Sequence, residues 1–112
     1  MVIQNLFFIK WDLEENNMTK GYWVVRGDVY DIEMYSNYIE SASKIIANFN
    51  GKFLVRGGEQ IQYEEQGYDR TVIVEFDSYE DAISCYNSYD YQEALKIVKK
   101  SAFRLVSVVK GI

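Results

Sequence analysis

The chain has no histidine and no proline among its 112 residues, and a single cysteine, Cys85. Without an imidazole there is no side chain that titrates unaided near neutral pH, and His-based acid–base catalysis, metal ligation and haem ligation are excluded. One cysteine excludes an internal disulfide and any multi-cysteine zinc site. Basic residues are outnumbered, 12 Lys and Arg against 17 Asp and Glu, for a formal charge of −5. Such a chain is not drawn to a nucleic-acid backbone or an anionic membrane surface. Long apolar runs are missing too. The longest is Leu6–Ile9, with Trp11 just beyond, far short of the ~20 residues of a membrane span. The N-terminus has neither a basic n-region nor a small-residue cleavage site. Together these absences predict a cytoplasmic protein with no metal, no cofactor, no nucleic-acid partner and no membrane partner.

What is present is an ordinary globular mixture, 48% hydrophobic and 26% charged. One domain of this length buries roughly two thirds of its unfolded surface, enough for a single core. Residues 1–19 read as an N-terminal extension: Val2–Trp11 is apolar and β-prone, and Asp12–Asn17 is a polar breaker. Met1–Asn17 is either an extension outside the domain or supplies an added edge strand packing on the domain or its partner. Residues 20–112 form the domain. Tyr22–Tyr30 is β-branched and aromatic, a strand. Asp31 then caps a helix whose apolar stripe runs Ile32, Tyr35, Ile39, Ala42, Ile45, Ile46 and Phe49. Asn50-Gly51 ends it, with Gly51 expected in the left-handed position. Lys52–Arg56 is a second strand stopped by Gly57-Gly58, and Gln60–Glu64 is a weak continuation. Thr71–Phe76 is the strongest strand, Ser78 caps a helix with Ala82, Ile83 and Tyr86 inward, and Asn87-Ser88 breaks it. Tyr91–Lys100 is a short third helix and Phe103–Val109 the last strand. The order β-α-β-β-α(α)-β predicts an α+β, ferredoxin-like fold with helices on one face of a four-stranded antiparallel sheet.

Strand alternation assigns Trp23, Val25, Phe53, Val55, Val72, Val74 and Phe76 to the helix side. Tyr22, Val24, Arg26, Asp28, Leu54, Arg56, Ile73 and Glu75 fall on the other, joined by Val106 and Val108. So much bare apolar surface predicts a homodimer with sheets face to face. Arg26, Arg56 and Glu75 would then lie inside or at the rim of the shared barrel. They have two readings. Arg56 and Arg26 bind an anionic or carbonyl ligand that Glu75 orients, or Arg56 and Glu75 are an inter-strand ion pair. Tyr35, Tyr38, Tyr86 and Tyr91 line a pocket under the helices or fill the core. Cys85, on a helix interior with no cation near it in sequence, reads as an inert thiol.

Several blocks carry a family resemblance. They are Gly21–Arg26 (Gly-Tyr-Trp-Val-Val-Arg), Gly51–Gly58 (Gly-Lys-Phe-Leu-Val-Arg-Gly-Gly), Arg70–Phe76 with Ser78–Ala82, and Cys85–Ser88 with Tyr91-Gln92. In that order they resemble the uncharacterised family called domain of unknown function 1330, over about Lys20 to Ile112. The resemblance implies a dimeric α/β barrel. It places the chain in a superfamily that includes antibiotic-biosynthesis-type monooxygenases and haem-degrading enzymes, although the family itself has no assigned reaction. Ile32, Asp77 and Tyr89 stand where the family often has proline. Three functions remain: a homodimeric module binding a small anionic or aromatic molecule near Arg56 and Glu75; a cofactor-independent monooxygenase- or isomerase-like enzyme acting on an aromatic or polyketide-type substrate; or a purely structural dimer. No residue is assigned a catalytic role.

Overall fold

The computed structural model describes residues 19–112. The predicted Val2–Trp11 strand lies outside them. The elements are β1 (Gly21–Val29), α1 (Ile32–Asn48), β2 (Lys52–Arg56), β3 (Arg70–Phe76), α2 (Tyr79–Asn87), α3 (Tyr89–Val98) and β4 (Ala102–Lys110). The four strands form one antiparallel sheet in the order β2-β3-β1-β4. This is the α+β, ferredoxin-like arrangement, with the helices on one face. No helix among the described residues is long and apolar enough to cross a membrane.

The helix boundaries follow from local hydrogen bonding. Asp31 accepts from the Met34 amide and Ser78 from the Asp81 amide, each satisfying an orphan donor of the first turn. Ser88 serves two helices at once. Its hydroxyl donates to the Cys85 carbonyl and accepts from the Tyr91 amide. The third helix therefore begins at Tyr89, two residues before the position that its apolar spacing suggests. At the end of α1 it is Asn50, with φ 59°, that takes the left-handed position. The amides of Asn50 and Gly51 bond back to Ala47 and Ile46, a Schellman closure with asparagine in the usual glycine place. Gly51 is needed for space instead. A Cβ there would stand 2.5 Å from Ile46 Cγ2 and 2.8 Å from Phe76 Cε1, inside the core.

The core lies between the sheet and the helices. Trp23, Val25, Val72, Val74 and Phe76 from the sheet pack against Tyr38, Ala42 and Ile46 of α1, Ala82 and Cys85 of α2, and Tyr91, Ala94, Leu95 and Val98 of α3. The Trp23 indole donates to the Ala82 carbonyl at 2.8 Å, so its only polar atom is satisfied. Cys85 is fully buried, and burial pushes its thiol up to about 12. It is inert at neutral pH. On α2, Ala82 and Cys85 carry the inner face, while Ile83 and Tyr86 are half-buried.

The sheet departs from simple alternation in two places. In β2, Phe53 faces Val74 but Val55 faces Ile73 and Arg56 faces Val72, because a bulge at Leu54 sets an extra residue against β3. Alternation alone puts Val55 under the helices and Arg56 on the open face. The bulge reverses both. In β4 the register pairs Arg104 with Gly27, Val106 with Val25 and Val108 with Trp23. Val106 and Val108 therefore pack on the helix side, while Phe103, Leu105 and Val109 take the open face, correcting the assignment made from sequence. Gln60–Glu64 is not a strand. The segment from Gly57 to Asp69 is a loop pinned to the sheet by side chains: Gln60 accepts from the Thr71 hydroxyl and donates to the Tyr68 carbonyl, and the Asp69 amide donates to Asp28.

Candidate functional site

The residues singled out from sequence do not converge. Glu75 lies on the open face and accepts from the Tyr22 hydroxyl at 3.1 Å. Arg26, on the same face, donates to Gln62 Oε1 at 2.8 Å and to the Gly67 carbonyl at 2.9 Å. Its guanidinium is consumed in holding the 57–69 loop. Arg56 is on the other side of the sheet, over the Phe53 ring at 4.1 Å, and donates to Ser43 Oγ at 2.6 Å. A site joining Arg56 to Glu75 is not formed, and neither is their ion pair. The described residues contain two ion pairs, Lys20–Asp77 and Glu93–Lys96, both on the surface.

A different constellation sits under α1. β4 carries Arg104 in the same phase as Ala102, Val106 and Val108, so its guanidinium enters the aromatic layer. Nη1 donates to the Tyr38 hydroxyl and Nη2 to the Tyr91 hydroxyl, each at 3.2 Å. The two phenol oxygens are 2.7 Å apart. Tyr38 and Tyr91 come from α1 and α3, so this cluster also ties the two helices together. Rings surround it: Tyr91 lies 4.8 Å from Trp23 and 5.1 Å from Tyr86, and Tyr38 lies 5.7 Å from Tyr35.

Counting protons shows what the cluster lacks. Arg104 brings five N–H groups and each phenol brings one O–H. Within the cluster the only acceptors are the two phenol oxygens. One hydroxyl proton occupies the contact between them, and the other, with the remaining guanidinium protons, has no protein acceptor among the described residues. Burial holds the Tyr38 phenol well above its ordinary value, and burial likewise raises Tyr91 despite the nearby guanidinium. For Arg104, burial works against the charge and the phenol oxygens more than offset it. The cluster is thus a cation with two neutral phenols, rich in donors and short of acceptors.

A narrow crevice of about 20 Å³ opens beside it, with Tyr35, Tyr38, Ile39, Arg56 and Arg104 on its walls. That is room for roughly one water-sized group. No carboxylate of the described residues borders it. On the far side of Tyr35 a wider groove of about 570 Å³ runs between α1 and the end of the sheet. Tyr35 borders both spaces. Arg70 stands there, donating through Nε to the Tyr35 hydroxyl at 3.1 Å. Arg70 and Arg104 both pair in register with Gly27, one on each side of β1. Two inter-strand spacings of about 4.8 Å set their backbones roughly 10 Å apart.

Tyr35, Tyr38 and Arg56 thus reach the crevice, while Arg26 and Glu75 do not. Tyr86 packs edge-on to Trp23 at 5.7 Å and backs the cluster from the α2 side. Arg70 and Arg104 were missed by sequence reasoning. Each is in phase with buried apolar neighbours on its strand, and that phase is the signal that could have found them. No group of three metal-ligating side chains occurs among the described residues.

The phenol shifts make stability pH-dependent in one direction. Both groups have folded values above the unfolded value of 10.0. Their contribution is complete below pH 10 and is lost as pH rises through the folded values. Urea midpoints measured from pH 8 to 12 are expected to fall more steeply above pH 10 in the native chain than in the Tyr38→Phe, Tyr91→Phe double variant. Parallel curves would contradict this.

Comparison with known proteins extends the reading of the fold. A protein of unknown function from Rhodopseudomonas palustris superposes with a TM-score of 0.70 at 12% identity, covering 95% of this chain and 92% of that one. A dimeric ferredoxin-like protein of unknown function from Thermobifida fusca gives 0.56 at 16% identity, with 82% and 91% covered. SnoaB, a cofactor-independent oxygenase from Streptomyces nogalater, gives 0.56 at 7% identity, with 84% and 94% covered. At these identities the likeness establishes the fold alone. No curated protein matches the chain. The family model described as a domain of unknown function matches residues 20–112, and by that match the chain belongs to the DUF1330 family.

Proposed function

We propose that the protein is a homodimeric small-molecule-binding module whose ligand enters the cleft between α1 and the sheet and offers an oxygen acceptor to Arg104. The observation that carries this reading is the donor surplus at Arg104, Tyr38 and Tyr91. Arg104 is half-buried and its partners are the hydroxyls of two buried tyrosines, so the donors left over on guanidinium and phenol favour an added acceptor over an apolar neighbour. A ligand oxygen in the crevice would complete the cluster, and the crevice has room for a group of that size. The body of the ligand lies in the groove outside Tyr35, whose volume suits a small organic molecule.

The dimer uses the open face of the sheet. Leu54, Phe103, Leu105 and Val109 are exposed there, with Phe103 at 68%. Leu54 lies at the β2 edge and the other three on β4 at the opposite edge, and exposed apolar side chains spread across a sheet face in this way mark an interface. The Thermobifida fusca protein of the same fold is described as dimeric. The lone, buried thiol suits a reducing cytoplasm.

Binding is favoured over oxygenation or isomerisation for a chemical reason. Both reactions begin by taking a proton from the substrate. Among the described residues the crevice offers phenols that stay protonated, guanidinium groups and no carboxylate, and Asp69 borders only the outer groove, beside Arg70.

Two outcomes test the reading. Calorimetric titration with 4-hydroxyphenylacetate is expected to show one site per protomer, with affinity falling at least tenfold in Arg104→Met. That is the loss expected for a hydrogen bond to a charged group, about 1.5–3 kcal/mol. Unchanged affinity would reject the assignment. Sedimentation at micromolar concentration is expected to give a dimer that Leu105→Lys dissociates. A native monomer would reject the interface.

A further inference from the structure

We infer that the groove outside Tyr35 is a carboxylate site, in which Arg70 holds the acid group of a small monoanionic, aromatic acid. This rests on the reading of the cleft as a ligand site and adds the chemical class of the ligand and the residue that selects it.

The Arg70 guanidinium is fixed on two sides. Its Nε is spent on the Tyr35 hydroxyl, and its carbon lies 5.3 Å from the Tyr35 ring centroid. On the other side it rests against Gly57, where φ is +69° and a Cβ would overlap the guanidinium. Glycine takes this turn without strain and leaves this space, which any Cβ would claim from the guanidinium. With its plane set, Arg70 keeps both terminal nitrogens without an acceptor among the described residues. Two parallel N–H groups on one guanidinium match the two oxygens of a carboxylate.

Other walls of the groove narrow the choice of anion. Asp69 borders it, next to Arg70. A second negative charge on the ligand would meet that carboxylate and a protein of net charge −5, so a singly charged acid is favoured over a phosphate dianion. Ile32 and Ile39 of α1 line the same groove, and Ile32 is 76% exposed at the first helical position. They offer an apolar wall to the body of the ligand. Arg70 and Arg104 flank β1 at the same register position, and on the proposed cleft reading a second oxygen at the far end of that body would meet Arg104. The ligand is an acid with a flat apolar centre and a second oxygen opposite the carboxylate.

The test compares 4-hydroxyphenylacetate, 4-hydroxyphenylacetamide and phenyl phosphate by calorimetry on the native dimer. The acid is expected to bind at least tenfold more tightly than either of the others. Arg70→Gln should remove that preference by weakening the acid while leaving the amide unchanged. Should Arg70→Gln fail to fold, Gly57→Ala displaces the guanidinium without removing its charge and should weaken the acid in the same way. Equal binding of acid and amide, tighter binding of phenyl phosphate, or an acid affinity indifferent to Arg70→Gln would overturn the carboxylate site. If Arg104→Met still lowers affinity in that case, the cleft reading stands and only this inference falls. If none of the three probes binds, both fall.

Discussion

The guanidinium of Arg104, half-buried among aromatic rings beside two phenols and no carboxylate of the described residues, is the constraint on which the reading of the cleft turns. A cation taken out of water costs several kcal/mol unless it is paired. Here its partners are Tyr38 from α1 and Tyr91 from α3, so the charge meets side chains of both helices at one point. The same arrangement leaves the phenols neutral, because burial raises both. A fold that needed only a stable core could have used an apolar residue at this strand position. The cluster makes sense as a half-built hydrogen-bond network that an incoming oxygen completes.

The two faces of the sheet divide the work. On the helix side, Arg56, Arg70 and Arg104 gather around Tyr35 and Tyr38. On the open side, Arg26 and Glu75 are absorbed by local bonds to the 57–69 loop and to Tyr22, and what remains is Leu54, Leu105, Val109 and Phe103. The proposed module would bind through the face that carries these charges and dimerise through the face that carries these apolar side chains. The bulge at Leu54 is central to this partition. By adding one residue to β2 it moves Arg56 from the interface side to the cleft side.

Most of the fold was legible because its signals are local. The Asp31 and Ser78 caps, the stripe of α1 and the β-branched run of β3 are properties of neighbouring residues. The site was less legible because it depends on phase. Arg56 could not be placed, since nothing in Lys-Phe-Leu-Val-Arg announces a bulge. Val106 and Val108 could not be placed, since Phe103–Val109 is apolar on both sides and its phase is set by pairing with Gly27 and Trp23 across the sheet. That error carried Arg104 out of view with them. Tyr35 was found because it lies on the apolar stripe of α1, and Tyr38, off that stripe as read, was named with it as an aromatic three residues on, which the structure buries with Ala42 and Ile46. The swap of Asn50 for Gly51 in the left-handed position has the same origin, since the choice between adjacent residues was made by the contact of Gly51 with Phe76.

If Arg104 is kept for a ligand rather than for the fold, the protein should be no less stable without its charge. The direct measurement is urea unfolding of the ligand-free dimer and of its Arg104→Met variant at pH 7 and equal protomer concentration. The account predicts a midpoint unchanged or raised in the variant, since an apolar side chain of similar length removes a half-buried charge whose partners are two neutral phenols rather than a carboxylate. A midpoint lowered by the equivalent of about 3 kcal/mol or more, the cost of breaking a fully satisfied buried cluster, would contradict it and make Arg104 a structural residue.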